Sequence, residues 1–198
     1  MLWHHYKRIC KDNGAIVLNA AQPFSTKLIN SNIKWFKYQW IWQKPQGTDP
    51  FMAKKRPLNN IEDILVFMNK QAIYNPQKTD GKPYHTVRDK TPRLHELTGQ
   101  TMRQTETVNT GWRLPTRILP FNQDRGAHPT QKPVALLEYL IKTYTNEGDT
   151  VLDNCMGSGT TGVACQNLNR DFIGIELDDK YFQIAKDRIE AAQVETTD

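Results

Sequence analysis

From Thr150 to Gly162 the chain reads Thr150-Val151-Leu152-Asp153-Asn154-Cys155-Met156-Gly157-Ser158-Gly159-Thr160-Thr161-Gly162. An acid closes a short apolar run, glycines without a Cβ permit a tight turn, and a helical pattern begins at Thr160. Such a strand, turn and helix N-terminus offers free backbone N–H groups to an anionic ligand. A second apolar run, Phe172-Ile173-Gly174-Ile175, ends in Glu176, which follows Gly157 by 19 positions. Dinucleotide-binding folds place a ribose-binding acid about 20 residues beyond their first glycine. A phosphate P-loop needs Lys before the Ser/Thr that follows its last glycine, and Thr160-Thr161 excludes it. The chemistry that fits is capture of a nucleoside carrying an anionic group. The plainer reading is a strand-turn-helix whose glycines serve geometry alone.

The elements that must hold this loop are legible by period. Leu2, Tyr6, Ile9 and Cys10 share one helical face before Asn13-Gly14. Ala15-Ile16-Val17-Leu18 is continuously apolar, as a strand buried on both faces requires. Phe24 to Ile33 reads as a covering helix with Phe24, Leu28 and Ile29 inward. Trp35 to Gln43 alternates, setting Phe36, Tyr38, Trp40 and Trp42 on one face, and Asp63 to Met68 is its antiparallel partner at a sheet edge. The aromatic face suits a core under a helix, with base stacking as the alternative. Val134 to Tyr144 carries the stripe Leu137, Leu140, Ile141, Tyr144, with Pro133 suited to its first turn. A last helix, Asp178 to Ala192, packs through Phe182, Ala185 and Ile189.

Charge is divided along the chain. Residues 1–133 hold 21 Lys/Arg and 9 Asp/Glu, whereas residues 134–198 hold 5 and 12. A basic front and an acidic tail suggest one face for a polyanion, with a merely solvated surface as the bland alternative. The loop from Lys44 to Pro57 is longer than a hairpin needs and carries Lys44, Lys54, Lys55 and Arg56 as expected phosphate contacts. Residues 70–127 lack clear periodicity and hold 10 Lys/Arg against 5 acids. Arg103 and Arg113 are the expected DNA-contacting residues there, since Arg reads guanine edges in the major groove. The alternative for this segment is a surface insertion that orders on binding. Cys10, Cys155 and Cys165 make no metal-spaced set, His4 and His5 have no ligand partners in sequence, and no metal is expected. No apolar run approaches a membrane span, so a cytoplasmic protein without a membrane partner is expected.

The run Asp153 to Gly162, preceded by His128-Pro129-Thr130-Gln131-Lys132-Pro133, resembles the DNA amino-methyltransferases that modify adenine N6 or cytosine N4 with S-adenosylmethionine. The motif order is similar to their permuted class, in which the cofactor-binding half follows the catalytic half. Where that family more often has Asp-Pro-Phe, this chain has Asp153-Asn154-Cys155. The resemblance implies an α/β, Rossmann-like, doubly wound and mostly parallel sheet with an antiparallel edge hairpin. It implies residues 1–69 as the remainder of the catalytic half, 70–127 as a target-recognition insertion and 128–198 as the cofactor-binding part.

By the same resemblance, Glu176 holds the ribose hydroxyls. Asp153 with Gly157, Ser158, Gly159 and Thr160 holds the amino-acid end of the cofactor, with Lys132 nearby. The partner implied is double-stranded DNA, in a restriction-modification setting. The family's catalytic Pro-Pro-aromatic motif has no counterpart in the 198 residues. Asp49-Pro50-Phe51 is the nearest match, which makes Asp49 the catalytic candidate although it lies out of order. In the family the pattern continues upstream of Met1. A truncated form missing one central strand beside Val151-Leu152 is therefore expected. Such a chain is either an active adenine-N6 enzyme (cytosine N4 the alternative), completed by a longer chain, a homodimer or a complementing chain, or a non-catalytic cofactor- and DNA-binding remnant.

Overall fold

A computed structural model describes residues 2–88, 105–124 and 131–195. They form two compact units, one comprising residues 1–75 with 116–198, the other Pro76–Pro115.

The larger unit is built on a four-stranded sheet. Its strands are β1 (Ile16–Ala20), β2 (Phe36–Thr48), β3 (Asn59–Phe67) and β8 (Ile118–Leu119), in the order β1-β3-β2-β8. β3 pairs antiparallel with both β1 and β2, and β8 joins β2 in parallel. The expected hairpin forms, yet both its strands lie inside the sheet and not at its edge. β1 takes the free edge of β3 and β8 that of β2, and Ile64 to Met68 is buried throughout, as a strand covered on both faces requires.

Ile64, Val66 and Met68 face one layer with Trp40, Trp42 and Leu119, under helix α3 (Val134–Tyr144) and its Leu136, Leu140 and Tyr144. Leu65 and Phe67 face the opposite layer, with Tyr6 of α1 (Leu2–Ile9) and Leu28 of α2 (Phe24–Ser31). This is an α/β architecture with helices on both faces. The aromatic face of β2 is core, as its alternation suggests, but Phe36 departs from it. A register irregularity between Phe36 and Tyr38 turns Phe36 to the α1/α2 side, because one extra residue in a strand exchanges its faces. Phe24, Leu2 and Ile9 are likewise exposed and not inward. Both helices have eight residues, too few for more than a narrow stripe to reach the sheet.

A separate parallel pair, β9 (Thr150–Asp153) and β10 (Asp171–Gly174), carries α4 (Thr160–Asn167) and α5 (Asp179–Glu195). Ile141 on the far side of α3 meets Ala164 and Cys165 of α4, joining this pair to the rest of the unit. Among the described residues no ladder connects β9–β10 with the four-stranded sheet, and it is beside β9 that a gap is expected. Phe182 is exposed on α5, which packs through Ala185 and Ala192.

The smaller unit lies within the expected 70–127 segment. It holds two antiparallel pairs, β4 (Thr79–Asp80) with β7 (Trp112–Arg113) and β5 (Tyr84–Arg88) with β6 (Thr105–Asn109). Residues 116–124, including β8, belong to the larger unit.

Candidate cofactor-binding site

The glycine turn stands at the carboxyl ends of β9 and β10. Beyond the last paired residues, Ile175 N donates to Asp153 O at 2.9 Å and Met156 N to Ile175 O at 3.0 Å, which carries the strand geometry into the turn. Gly157 and Gly159 have positive φ, 52° and 76°. At Gly159 a Cβ would also lie 2.9 Å from the Ala185 Cα, so the turn presses directly on α5.

Asp153 and Glu176 clasp this turn from two sides. Asp153 Oδ2 accepts from Thr161 Oγ1 at 2.6 Å and Oδ1 from Cys155 N at 3.1 Å, which puts its charge beside the N-terminal turn of α4, where the helix dipole favours it. Glu176 Oε2 accepts from Gly157 N at 2.8 Å, while Oε1 accepts from Leu177 N and Asp178 N. These N–H groups, that of Asp178 foremost and then that of Gly157, hold its carboxyl below the usual glutamate value. Glu176 is flanked by Ile175 and Leu177, 54% and 97% exposed. An acid set between two open apolar side chains can meet the hydroxyls and the flat face of a nucleoside together. The nearby Cys155 thiol is pushed up from its ordinary value by desolvation, then by Asp153 and Glu176, so it is a poor nucleophile at neutral pH.

Ser158 and Thr160 are buried behind the turn. Ser158 Oγ donates to Gln131 Oε1 at 3.2 Å. Arg188 of α5 donates Nη1 to the Ser158 carbonyl, to Ser158 Oγ at 3.0 Å and to Thr160 Oγ1 at 3.4 Å. Burial lowers the Arg188 pKa from its ordinary value, with Asp124 opposing that shift. Asp124 Oδ2 in turn accepts from Val134 N at 3.0 Å, at the start of α3. Arg188, Thr161 and Gln131 were missed by motif reading. The signal for Arg188 was present: it lies three residues beyond Ala185, on the stripe that buries α5, and a cation there needs acceptors.

The remaining candidates are dispersed. Lys44 and Lys132 meet on one acid: Lys44 Nζ lies 3.0 Å from Glu62 Oε2 and Lys132 Nζ 2.8 Å from Glu62 Oε1. Their side chains are only 13% and 21% exposed and lie over the Trp42 ring. Lys44 is thus engaged inside the protein, not turned out toward a phosphate, and Lys132 is drawn to the same Glu62. Asp49 sits at the tip of the β2–β3 hairpin, paired with Arg56 at 2.8 Å. Lys54 and Lys55 are exposed in the same tip. In the smaller unit Arg113 donates to Asn109 Oδ1 at 3.1 Å and Lys82 O at 2.6 Å, and its guanidinium lies 4.9 Å from the Tyr84 ring centre. Arg103 and His128 lie outside the described residues. No cluster of metal-ligating side chains and no helix long and apolar enough to cross a membrane occurs among the described residues.

The sequence profile of the N6/N4 DNA methylase family matches residues 2–187. The chain belongs to this DNA methylase family. Its methylase sequence is 31% identical over 189 residues to the type II methyltransferase M.HpaI of Haemophilus parainfluenzae, covering 93% of this chain and 56% of that protein. Over 66 residues it is 54% identical to M2.DpnII of Streptococcus pneumoniae, 33% of this chain and 25% of that protein. Among solved structures, the M1.HpyAVI complex with S-adenosylmethionine matches with a TM-score of 0.69 at 29% identity, covering 95% of this chain and 80% of that one. The cytosine-N4-specific PvuII DNA methyltransferase matches at 0.63 with 18% identity, over 90% of this chain and 64% of that one, a likeness of fold. The matched stretch spans about half the length of M.HpaI, 56%, and a quarter of M2.DpnII, 25%.

Proposed function

We propose that this chain binds S-adenosylmethionine at the Asp153–Thr160 turn and Glu176, and serves methyl transfer to an exocyclic amine of a flipped base in duplex DNA, in the cytoplasm. Adenine N6 is the first acceptor, cytosine N4 the second. The observation that carries the reading is the convergence of Asp153, Glu176 and the Gly157 amide on one turn. Glu176 Oε2 keeps an acceptor site for a ribose hydroxyl, Ile175 and Leu177 supply apolar surface for the base, and the turn at the N-terminus of α4 favours a carboxylate. When bound, the cofactor supplies a methyl group on a positively charged sulfur.

The residues of this chain bind and orient. Asp153 and Glu176 fix the turn, and Arg188 and Gln131 hold its buried side. Lys54, Lys55 and Arg56 of the hairpin tip, with the basic residues of the 76–115 unit, supply phosphate contacts. Lys44 and Lys132, engaged by Glu62, support the hairpin. Asp49 is bound to Arg56 and is assigned no catalytic role. A second reading, binding without turnover, draws on the separation of β9–β10 from the main sheet.

Calorimetry of S-adenosylmethionine binding to the whole chain and to Glu176→Ala tests the cofactor site. The variant is expected to bind at least about tenfold more weakly, roughly 1.4 kcal/mol. A folded chain that binds no cofactor overturns the proposal, and binding without methyl transfer to any duplex selects the second reading.

A further inference from the structure

Beyond their common core, β2 and β3 continue as a two-stranded arm. β1 covers only Asp63 to Phe67 of β3, and β8 only Ile41 and Trp42 of β2. Beyond these, Gln43 pairs with Ile61 and Thr48 with Asn59, and among the described residues no third strand covers either stretch. At roughly 3.3 Å per residue, Asn59 to Ile61 carries the arm about 10 Å further on the β3 side.

Its tip has a fixed form. Asp49, with φ 64°, turns the chain into the one-turn 3-10 helix Pro50–Met52. Met52 N donates to Asp49 O at 2.9 Å, Ala53 N to Pro50 O at 3.1 Å, and Lys55 N and Arg56 N to Met52 O at 2.8 and 3.0 Å. The Arg56–Asp49 ion pair closes the base of the tip. These bonds hold Phe51 outward, 95% exposed, beside Lys54, Lys55 and Arg56, all exposed. A lone surface hydrophobe is ordinary. A phenyl ring raised almost wholly into water by a backbone-bonded tip, on an arm ringed by cations, is a different arrangement. The cations choose the occupant: three against one acid at the tip complement a polyanion.

We infer that Phe51 is a wedge that enters the base stack of duplex DNA, with Lys54 and Lys55 on the flanking phosphates. Paired strands fit a DNA groove, and Phe is among the side chains that proteins insert between base steps. A ring inserted next to a base that is leaving the helix occupies the space and lowers the cost of unstacking. The inference rests on the DNA-binding part of the proposed function and adds the residue that deforms the duplex.

The test is fluorescence anisotropy with the whole chain on two mixed-sequence duplexes, one intact and one with a single internal abasic site. A wedge spends less on unstacking at the abasic gap, so that duplex should bind about tenfold more tightly, within the range for base–aromatic stacking. Phe51→Ala should abolish the preference while leaving the salt dependence unchanged, and Phe51→Trp should keep the preference. Lys54→Ala and Lys55→Ala should weaken both duplexes alike and each reduce the salt slope by about one. Phe51→Ala folds because the ring buries almost nothing; an unchanged thermal melt verifies this. Failure to bind either duplex at low salt overturns the DNA reading and the wedge together. Binding without preference, or a preference that survives Phe51→Ala, overturns the wedge alone.

Discussion

Arg188 has the most exacting task of any single side chain. Its Nη1 reaches the Ser158 carbonyl and the hydroxyls of Ser158 and Thr160 from a half-buried position, so it sets the back of the turn proposed to hold the cofactor. Removing it leaves a buried carbonyl without its charged donor, a loss of about 1–3 kcal/mol. Arg188→Met should therefore weaken S-adenosylmethionine binding about tenfold, with Arg188→Lys restoring part of it. Calorimetry on both variants is the measurement. A purely packing role for Arg188 would make Met the better replacement. The buried Cys165 makes a contrast, its thiol pushed up to about 12 chiefly by burial. It is a small apolar residue under α4 without chemistry of its own.

Among the elements, α5 decides whether the turn keeps its form. Gly159 combines a φ of 76° with a Cβ position 2.8 Å from Ala185 Cβ and 2.9 Å from its Cα. Backbone on the far side cannot move aside as a flexible side chain could. Gly159→Ala should cost about 2–4 kcal/mol, adding left-handed strain to overpacking, and urea unfolding would register it as a lower midpoint. Methyl-deep changes on the exposed side of α5, such as Lys186→Ala, should stay within about 0.5 kcal/mol. The β2–β3 hairpin behaves similarly: its inner half is fixed by Trp40, Trp42, Ile64 and Val66, which frees its outer half to carry a polar and basic tip.

For the whole molecule the division of charge bears on the proposed contact with DNA. Residues 1–133 carry 21 Lys/Arg against 9 acids, and residues 134–198 carry 5 against 12. Phosphate neutralisation by six or more cations implies a loss of about 10³ in affinity between roughly 50 and 200 mM salt. Anisotropy titrations across that range should show it, while S-adenosylmethionine affinity should vary far less, since its proposed site lies in the acidic part. A flat salt response would remove the basic front from the interface.

What sequence alone determined is local. Val151-Leu152 followed by Asp153 and the glycines produced a strand, turn and helix because propensity, φ freedom and capping act over a few residues. The stripe of α3 and the apolar runs of β1 and β3 were equally legible, since burial imposes a period on any element with one or two covered faces. The tertiary structure decided matters that depend on residues distant in the chain. Lys44 reads as a phosphate contact and Lys132 as a neighbour of the cofactor until Glu62 gathers both over Trp42. Phe36 reads as a neighbour of Tyr38 until a register irregularity sends it to the other layer. Arg188 finds its acceptors only when α5 docks on the glycine turn. In each case the sequence supplies the chemical group, but its partner, and hence its desolvation and charge state, is set by packing between segments that no local period connects.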